Sequence, residues 1–108
     1  SEFTVAPQVE PKKGLPYHEW FIEFQKEPEQ MSAFVESIDQ SIQQQNSYYK
    51  DLLTGNILRQ LVVTKIEKNG FQKFMKSNGK LGGQNKVPRL SNDRKIAEQL
   101  QAFSLKSN

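Results

Sequence analysis

The sequence predicts an α+β fold, a small and mostly antiparallel three-stranded sheet covered by three to four helices. Three observations predict it. Residues 3–9 and 17–24 alternate apolar and polar side chains with a period of two, on either side of the Pro-, Lys- and Gly-rich run EPKKGLP. Residues 29–45 instead repeat apolar side chains at intervals of three and four, the period of a helix. A third strand-like run, containing LVVTKI, is then followed by two short helical stripes.

In the first strand Phe3, Val5, Pro7 and Val9 share a face, and Pro7 weakens its centre because proline lacks the N–H that a ladder needs. Residues 10–16 read as the connecting loop, with solvated lysines. In the second strand Trp20, Ile22 and Phe24 form one face and Glu19, Phe21 and Glu23 the other. Phe21 on that second face implies that it too is covered. The Glu19/Glu23 pair is expected to be a solvated edge. His18 and Trp20 read better as packed strand residues than as a base and a stacking platform, since a general base needs a partner that orients it.

Pro28 suits a helix start, and Met31, Phe34, Val35, Ile38 and Ile42 form one stripe over residues 29–45. Tyr48, Tyr49, Leu52 and Leu53 suggest a second short helix, with Gly55 as a left-handed stop. Residues 57–66 are expected to be the third strand, with Leu61 and Val63 inward and Lys65 and Lys68 outward. Asn69 opens a short helix whose Phe71, Phe74 and Met75 share a face, closed by Asn78 and Gly79. The last helix is expected to start with Ser91 or Asn92 as N-cap and Asp93 in its first turn. Ile96, Leu100 and Phe103 supply its buried face.

Between the last two helices lies GKLGGQNKVPRLSNDR. Six of the fifteen basic residues fall between Lys76 and Lys95, against one acid, Asp93. Gly79, Gly82 and Gly83 let the backbone approach a ligand closely, while Asn85, Lys86 and Arg89 supply donors. Exposed backbone N–H groups beside Lys and Arg are a common way to meet phosphate or carboxylate, although a solvated surface loop has the same composition. Pro88 stiffens the exit from Lys86 by fixing its own φ and extending Val87.

This string, with YHEWFIEF at residues 17–24 and FTVAP at residues 3–7, closely resembles bacterial members of the auxin-responsive promoter (Gretchen Hagen) family. The resemblance runs from about Phe3 to Leu100 through three motifs in the same order. That family is similar to plant acyl acid amido synthetases and belongs with the adenylate-forming enzymes such as acyl-CoA synthetases and firefly luciferase. The resemblance implies a C-terminal cap domain over residues 1–108, whose hinge, first hairpin and first helix would lie upstream. In the plant relatives a lysine in a Q-x-K-x-P-R string reaches the nucleotide phosphates and the acyl adenylate. The matching residues are Gln84, Lys86, Pro88 and Arg89.

Lys86 is therefore the expected catalytic lysine, and Gly82, Gly83, Gln84, Asn85 and Arg89 the expected cofactor-binding set. For Arg89 an internal pairing, with Asp93 or a C-terminal carbonyl, is the favoured reading. ATP and Mg2+ are implied for the whole enzyme, and none for the fragment alone, which is expected to be inactive. The implied partners are a missing N-terminal domain and small carboxylic acid and amine substrates. The acyl pocket and the rest of the nucleotide machinery have no counterpart in this sequence.

Composition narrows the alternatives. There is no cysteine and one histidine, which excludes disulfides, thiolate metal sites and a histidine zinc centre. No apolar run approaches the ~20 residues of a membrane helix, no charged-then-apolar leader pattern opens the sequence, and a cytoplasmic location is expected. A domain this small buries about 60–70% of its unfolded surface, so self-association of the fragment is an expectation. The competing function class is a free-standing basic module for nucleic acid or nucleotide, suggested by the basic loop with Tyr17 and Trp20. A net charge of only +3, with twelve acids interspersed, makes nucleic acid the weaker reading.

Overall fold

The computed structural model describes residues 1–79 and 87–105. Strand β1 (Glu2–Gln8) pairs antiparallel with β2 (Tyr17–Glu23), and β2 pairs parallel with β3 (Val62–Lys65), giving the order β1-β2-β3. Helices α1 (Met31–Gln45) and α2 (Ser47–Thr54) lie in the connection between β2 and β3. A parallel pair requires such a long crossover. Helix α3 (Gly70–Ser77) follows β3, and α4 (Lys95–Leu100) runs into a 3-10 turn at Gln101–Phe103. The predicted α+β class holds, and the sheet is mixed: seven antiparallel residue pairs against four parallel ones.

Alternation along β2 sorts the two sheet faces. The face of Thr4, Ala6 and Phe21 meets α3 and α4, and the core there joins Ala6 and Phe21 to Ile66, Phe71, Phe74, Met75, Val87, Ala97 and Leu100. The Trp20 and Ile22 face looks toward α1 and α2. There Phe3 stacks on Trp20 with ring centroids 5.5 Å apart, Phe24 meets Phe34 edge-on at 5.3 Å, and His18 lies parallel to Tyr49 at 5.8 Å. His18 and Trp20 are thus packed strand residues, as expected.

Glu19 and Glu23 are not a solvated edge. Glu19 is 5% exposed, accepts from Thr64 and Gln101, and forms an ion pair with Arg94. The Glu23 carboxylate accepts from the backbone N–H groups of Asn69 (2.9 Å) and Phe71 (3.1 Å), so a strand-end carboxylate caps α3. Alternation alone cannot tell an acid facing water from one facing the N–H groups of another element.

Other boundaries moved for local reasons. The third strand shrinks from residues 57–66 to Val62–Lys65, because residues 56–58 close α2 instead, Ile57 and Leu58 both donating to the Leu52 carbonyl. Gly55 is not left-handed; Asn56 takes that conformation at φ 57°, which asparagine tolerates. Helix α4 starts at Lys95, where the Asp93 side chain accepts from the Lys95 N–H at 3.0 Å, rather than at Ser91 or Asn92.

Candidate functional site

Of the predicted site residues, Gly82, Gly83, Gln84, Asn85 and Lys86 lie outside the described residues. Both flanks of their segment are described, and the sequence explains each. On the upstream side α3 ends at Ser77, with the Asn78 N–H and side chain both donating to the Phe74 carbonyl. Gly79 then turns left-handed at φ 60°, which glycine adopts at no steric cost.

The downstream flank is fixed to β1 over five residues. Val87, the residue after Lys86, is 4% exposed and belongs to the core. Pro88, without an N–H to donate, offers its carbonyl to the Thr4 hydroxyl. The chain then runs beside β1 as a short parallel segment: the Val5 N–H donates to Arg89 O and the Ser91 N–H to Val5 O, both at 2.8 Å. This segment covers the outer edge of β1, where unpaired groups would otherwise remain.

Arg89 closes the arrangement. Its Nη1 donates to the Phe3 carbonyl at 3.2 Å and lies 2.8 Å from Glu2 Oε1, an ion pair whose geometry is not that of an aligned hydrogen bond. The guanidinium sits 4.4 Å from the centroid of the Phe3 ring, within the range of a cation–π contact. An internal pairing was the favoured reading, but the acid is Glu2 rather than Asp93. The Arg89 side chain nevertheless remains 48% exposed.

A second arginine is more deeply set. Arg94 Nη2 pairs with Glu19 Oε1 at 2.8 Å, with 20% and 7% of the two side chains exposed, and Nη1 reaches the Pro7 carbonyl at 3.4 Å. Because Glu19 also accepts from Thr64 and Gln101, this one carboxylate joins β2, β3 and both ends of α4. Sequence reading missed Thr4, Glu2, Glu19 and Arg94. Their only signal was a polar residue on an otherwise apolar strand face, and for Arg94 a place in the basic run.

On the opposite sheet face Asp39, 3% exposed, accepts from the Tyr49 hydroxyl and from Gln43 Nε2 at 2.7 Å. Burial first, and then the bond and charge of Asp39, raise the Tyr49 hydroxyl above its ordinary range. Burial lowers the imidazole of His18, which lies against Tyr49. The group is a packing device between α1, α2 and β2.

Tyr17 and Trp20 do not make one stacking platform. They lie on opposite faces of β2, Tyr17 under the Arg59 guanidinium at 5.2 Å and Trp20 against Phe3. Among the described residues no group of three or more His, Cys, Asp or Glu is placed to hold a metal ion. No helix among them is long and apolar enough to cross a membrane.

What the geometry can do is hold a basic, glycine-rich segment between two fixed ends, with cations beside it. Comparison with known proteins gives this a context. The model of the GH3 family C-terminal domain matches residues 1–95. Among solved structures, "GH3.15 acyl acid amido synthetase" matches with a TM-score of 0.77 at 15% identity, covering 97% of this chain and 19% of that one. The structure "AtGH3.15 acyl acid amido synthetase in complex with 2,4-DB" matches with a TM-score of 0.70 at 14% identity, covering 97% and 20%. At such identities the likeness is one of fold, and the chain spans about a fifth of the length of these structures. No curated protein matches it in sequence.

Proposed function

This chain belongs to the GH3 family through its C-terminal domain, and from that premise we propose that it is the mobile cap domain of an ATP-dependent, acyl-adenylate-forming ligase that joins a carboxylic acid to an amine or amino acid. The observation that carries the reading is the anchored flank. The family match spans residues 84–89 entire, and Val87, Pro88 and Arg89 are held by the core, Thr4 and Phe3. A fixed anchor directly after Lys86 in sequence suits a charge that must meet a transition state.

In this reading the acid's carboxylate oxygen attacks the α-phosphorus of ATP and pyrophosphate leaves. The amine then attacks the adenylate carbonyl and AMP leaves. Lys86 supplies the cation that stabilises charge developing at the α-phosphate, an electrostatic contribution that a water-excluded site strengthens. The backbone of Gly82 and Gly83, with Gln84 and Asn85, lines the approach to the nucleotide. Arg89, half-exposed beside them in sequence, offers a guanidinium for phosphate while it braces β1. Mg2+ enters with ATP, and the acid, amine and adenine pockets belong to an N-terminal domain of the same polypeptide, in the cytoplasm where ATP is supplied. A cap that closes over the site assembles it and excludes water.

The test is pyrophosphate exchange by the full-length protein carrying Lys86→Ala. Exchange is expected to fall by on the order of a hundredfold, the scale of removing one preorganised charge, with thermal unfolding unchanged. Undiminished exchange in a folded variant overturns the assignment.

A further inference from the structure

Thr4 is a polar residue where the packing would accept an apolar one. It lies on the core face of β1 directly opposite Phe21 of β2, and both side chains are fully buried. Valine would fill the same space without taking a hydroxyl out of water, a transfer that costs free energy unless the group is bonded. The bond that Thr4 makes is to the Pro88 carbonyl, 84 residues away in sequence.

That bond stands at a particular place in the chain. Downstream of Pro88 the attachment to β1 is main-chain, the Val5 N–H meeting the Arg89 carbonyl and the Ser91 N–H the Val5 carbonyl. Upstream of the Arg89 carbonyl it passes to side chains, because Pro88 has no N–H with which to extend a ladder. The Thr4 hydroxyl donates to the Pro88 carbonyl, the Arg89 guanidinium to the Phe3 carbonyl, and Val87 is buried in the core. Among the described residues, Thr4 therefore makes the hydrogen bond nearest in sequence to Lys86. The donor is also rigid. Thr4 is held in register by the β1–β2 ladder, and a β-branched side chain is stiff at χ1.

We propose that Thr4 is a positioning residue for adenylate formation: its hydroxyl, acting through the Pro88 carbonyl, sets the course of the chain that leaves Lys86. The inference rests on the ligase reading, in which Lys86 meets the charge developing at the α-phosphate. It adds to that reading a strand residue that acts through the chain rather than on the substrate. Small misplacements of a reacting group cost up to about 10²-fold in rate, so one buried bond at this point is enough to matter.

Pyrophosphate exchange by the full-length protein tests this. Thr4→Val removes the hydroxyl and keeps the volume, whereas Thr4→Ser removes the methyl and keeps the hydroxyl. Thr4→Val is expected to lower kcat for exchange about tenfold while KM for ATP stays within about twofold of wild type. Thr4→Ser is expected to hold kcat within about threefold of wild type, although it leaves a small cavity and unfolds at a lower temperature. Wild-type kcat in a folded Thr4→Val protein overturns the proposal, and so does a loss in Thr4→Ser as deep as that in Thr4→Val. If Thr4→Val does not fold, Thr4→Ala takes its place, since it differs from Thr4→Ser only by the hydroxyl.

Lys86→Ala supplies the second arm. A residue that acts through Lys86 has nothing left to position once the lysine is gone, so Thr4→Val should cost no further activity in a Lys86→Ala protein. An equal loss on both backgrounds shows independent action and overturns the proposal. Loss of exchange in Lys86→Ala with none in Thr4→Val removes the positioning role and leaves the ligase reading standing. Undiminished exchange in Lys86→Ala removes both.

Discussion

Arg89 and Lys86 stand three residues apart in one motif, yet their substitutions should differ in kind. Removing the Arg89 side chain deletes a partly exposed ion pair to Glu2, a bond to the Phe3 carbonyl and the contact with the Phe3 ring. Exposed contacts of these kinds contribute roughly 0.5–1 kcal/mol each. Arg89→Ala is therefore expected to destabilise the domain by about 1 kcal/mol in chemical denaturation, with a smaller loss of exchange activity than Lys86→Ala. A loss of exchange as deep as that of Lys86→Ala, at unchanged stability, would assign Arg89 to the nucleotide. His18 provides the pH-sensitive test. Its folded imidazole is held below the ordinary 6.5 by burial, so the unfolded chain takes up a proton first as pH falls. This contribution to stability is complete above 6.5 and is lost as pH falls from there through the folded value. Unfolding midpoints measured between pH 7.5 and 5 should fall, and His18→Gln should flatten the slope; an equal slope in both proteins refutes the assignment.

At the scale of elements, polar side chains decide how helices meet strands. Glu19 and Arg94 tie α4 to β2 within a nearly dry site, and removing one partner of such a pair typically costs about 3–5 kcal/mol because the other charge stays buried alone. Glu19→Leu or Arg94→Met should each lose about 3 kcal/mol on that scale, and the two substitutions together less than the sum. Strict additivity in that double-mutant cycle would show that the pair is not coupled. The start of α3 depends on shape as well. A Cβ on Gly70 would sit 2.4 Å from Ile66 Cγ2 and 3.3 Å from Phe103 Cβ, so Gly70→Ala must push β3 or the C-terminal turn away. A loss of about 1–3 kcal/mol is expected from this overpacking, whereas Gly14→Ala meets no atom within 4 Å and should be limited to the strain of its left-handed φ.

Across the whole molecule the two sheet faces are unequal. One carries the buried cluster with α3 and α4; the other carries α1, whose apolar stripe is half-exposed. Amide hydrogen exchange of residues 1–108 alone should therefore show α1 opening before β2 and α3, since local stability follows buried apolar contact. Protection of α1 equal to that of β2 would contradict this inequality.

Much of this architecture was legible in the residues. The two-residue period marks β1 and β2 to within one residue at each end, the helical stripe marks α1, and Phe71, Phe74 and Met75 give α3 its buried face. The basic segment and the motif around Lys86 also pointed to the family, because a motif is a local pattern and local patterns are what a linear sequence records. What the sequence left open is which surfaces meet. Alternation showed that Glu19 and Phe21 share a face, but only the arrival of α3 and α4, more than 45 residues later, made that face the core and turned Glu19 into a buried anchor. Likewise Thr4, Glu2 and Phe3 became the seat of residues 87–91 through contacts more than 80 residues apart. Period and composition act over one or two turns of chain, so they determine elements and motifs; tertiary packing decides which polar group finds a partner and which apolar stripe is left uncovered.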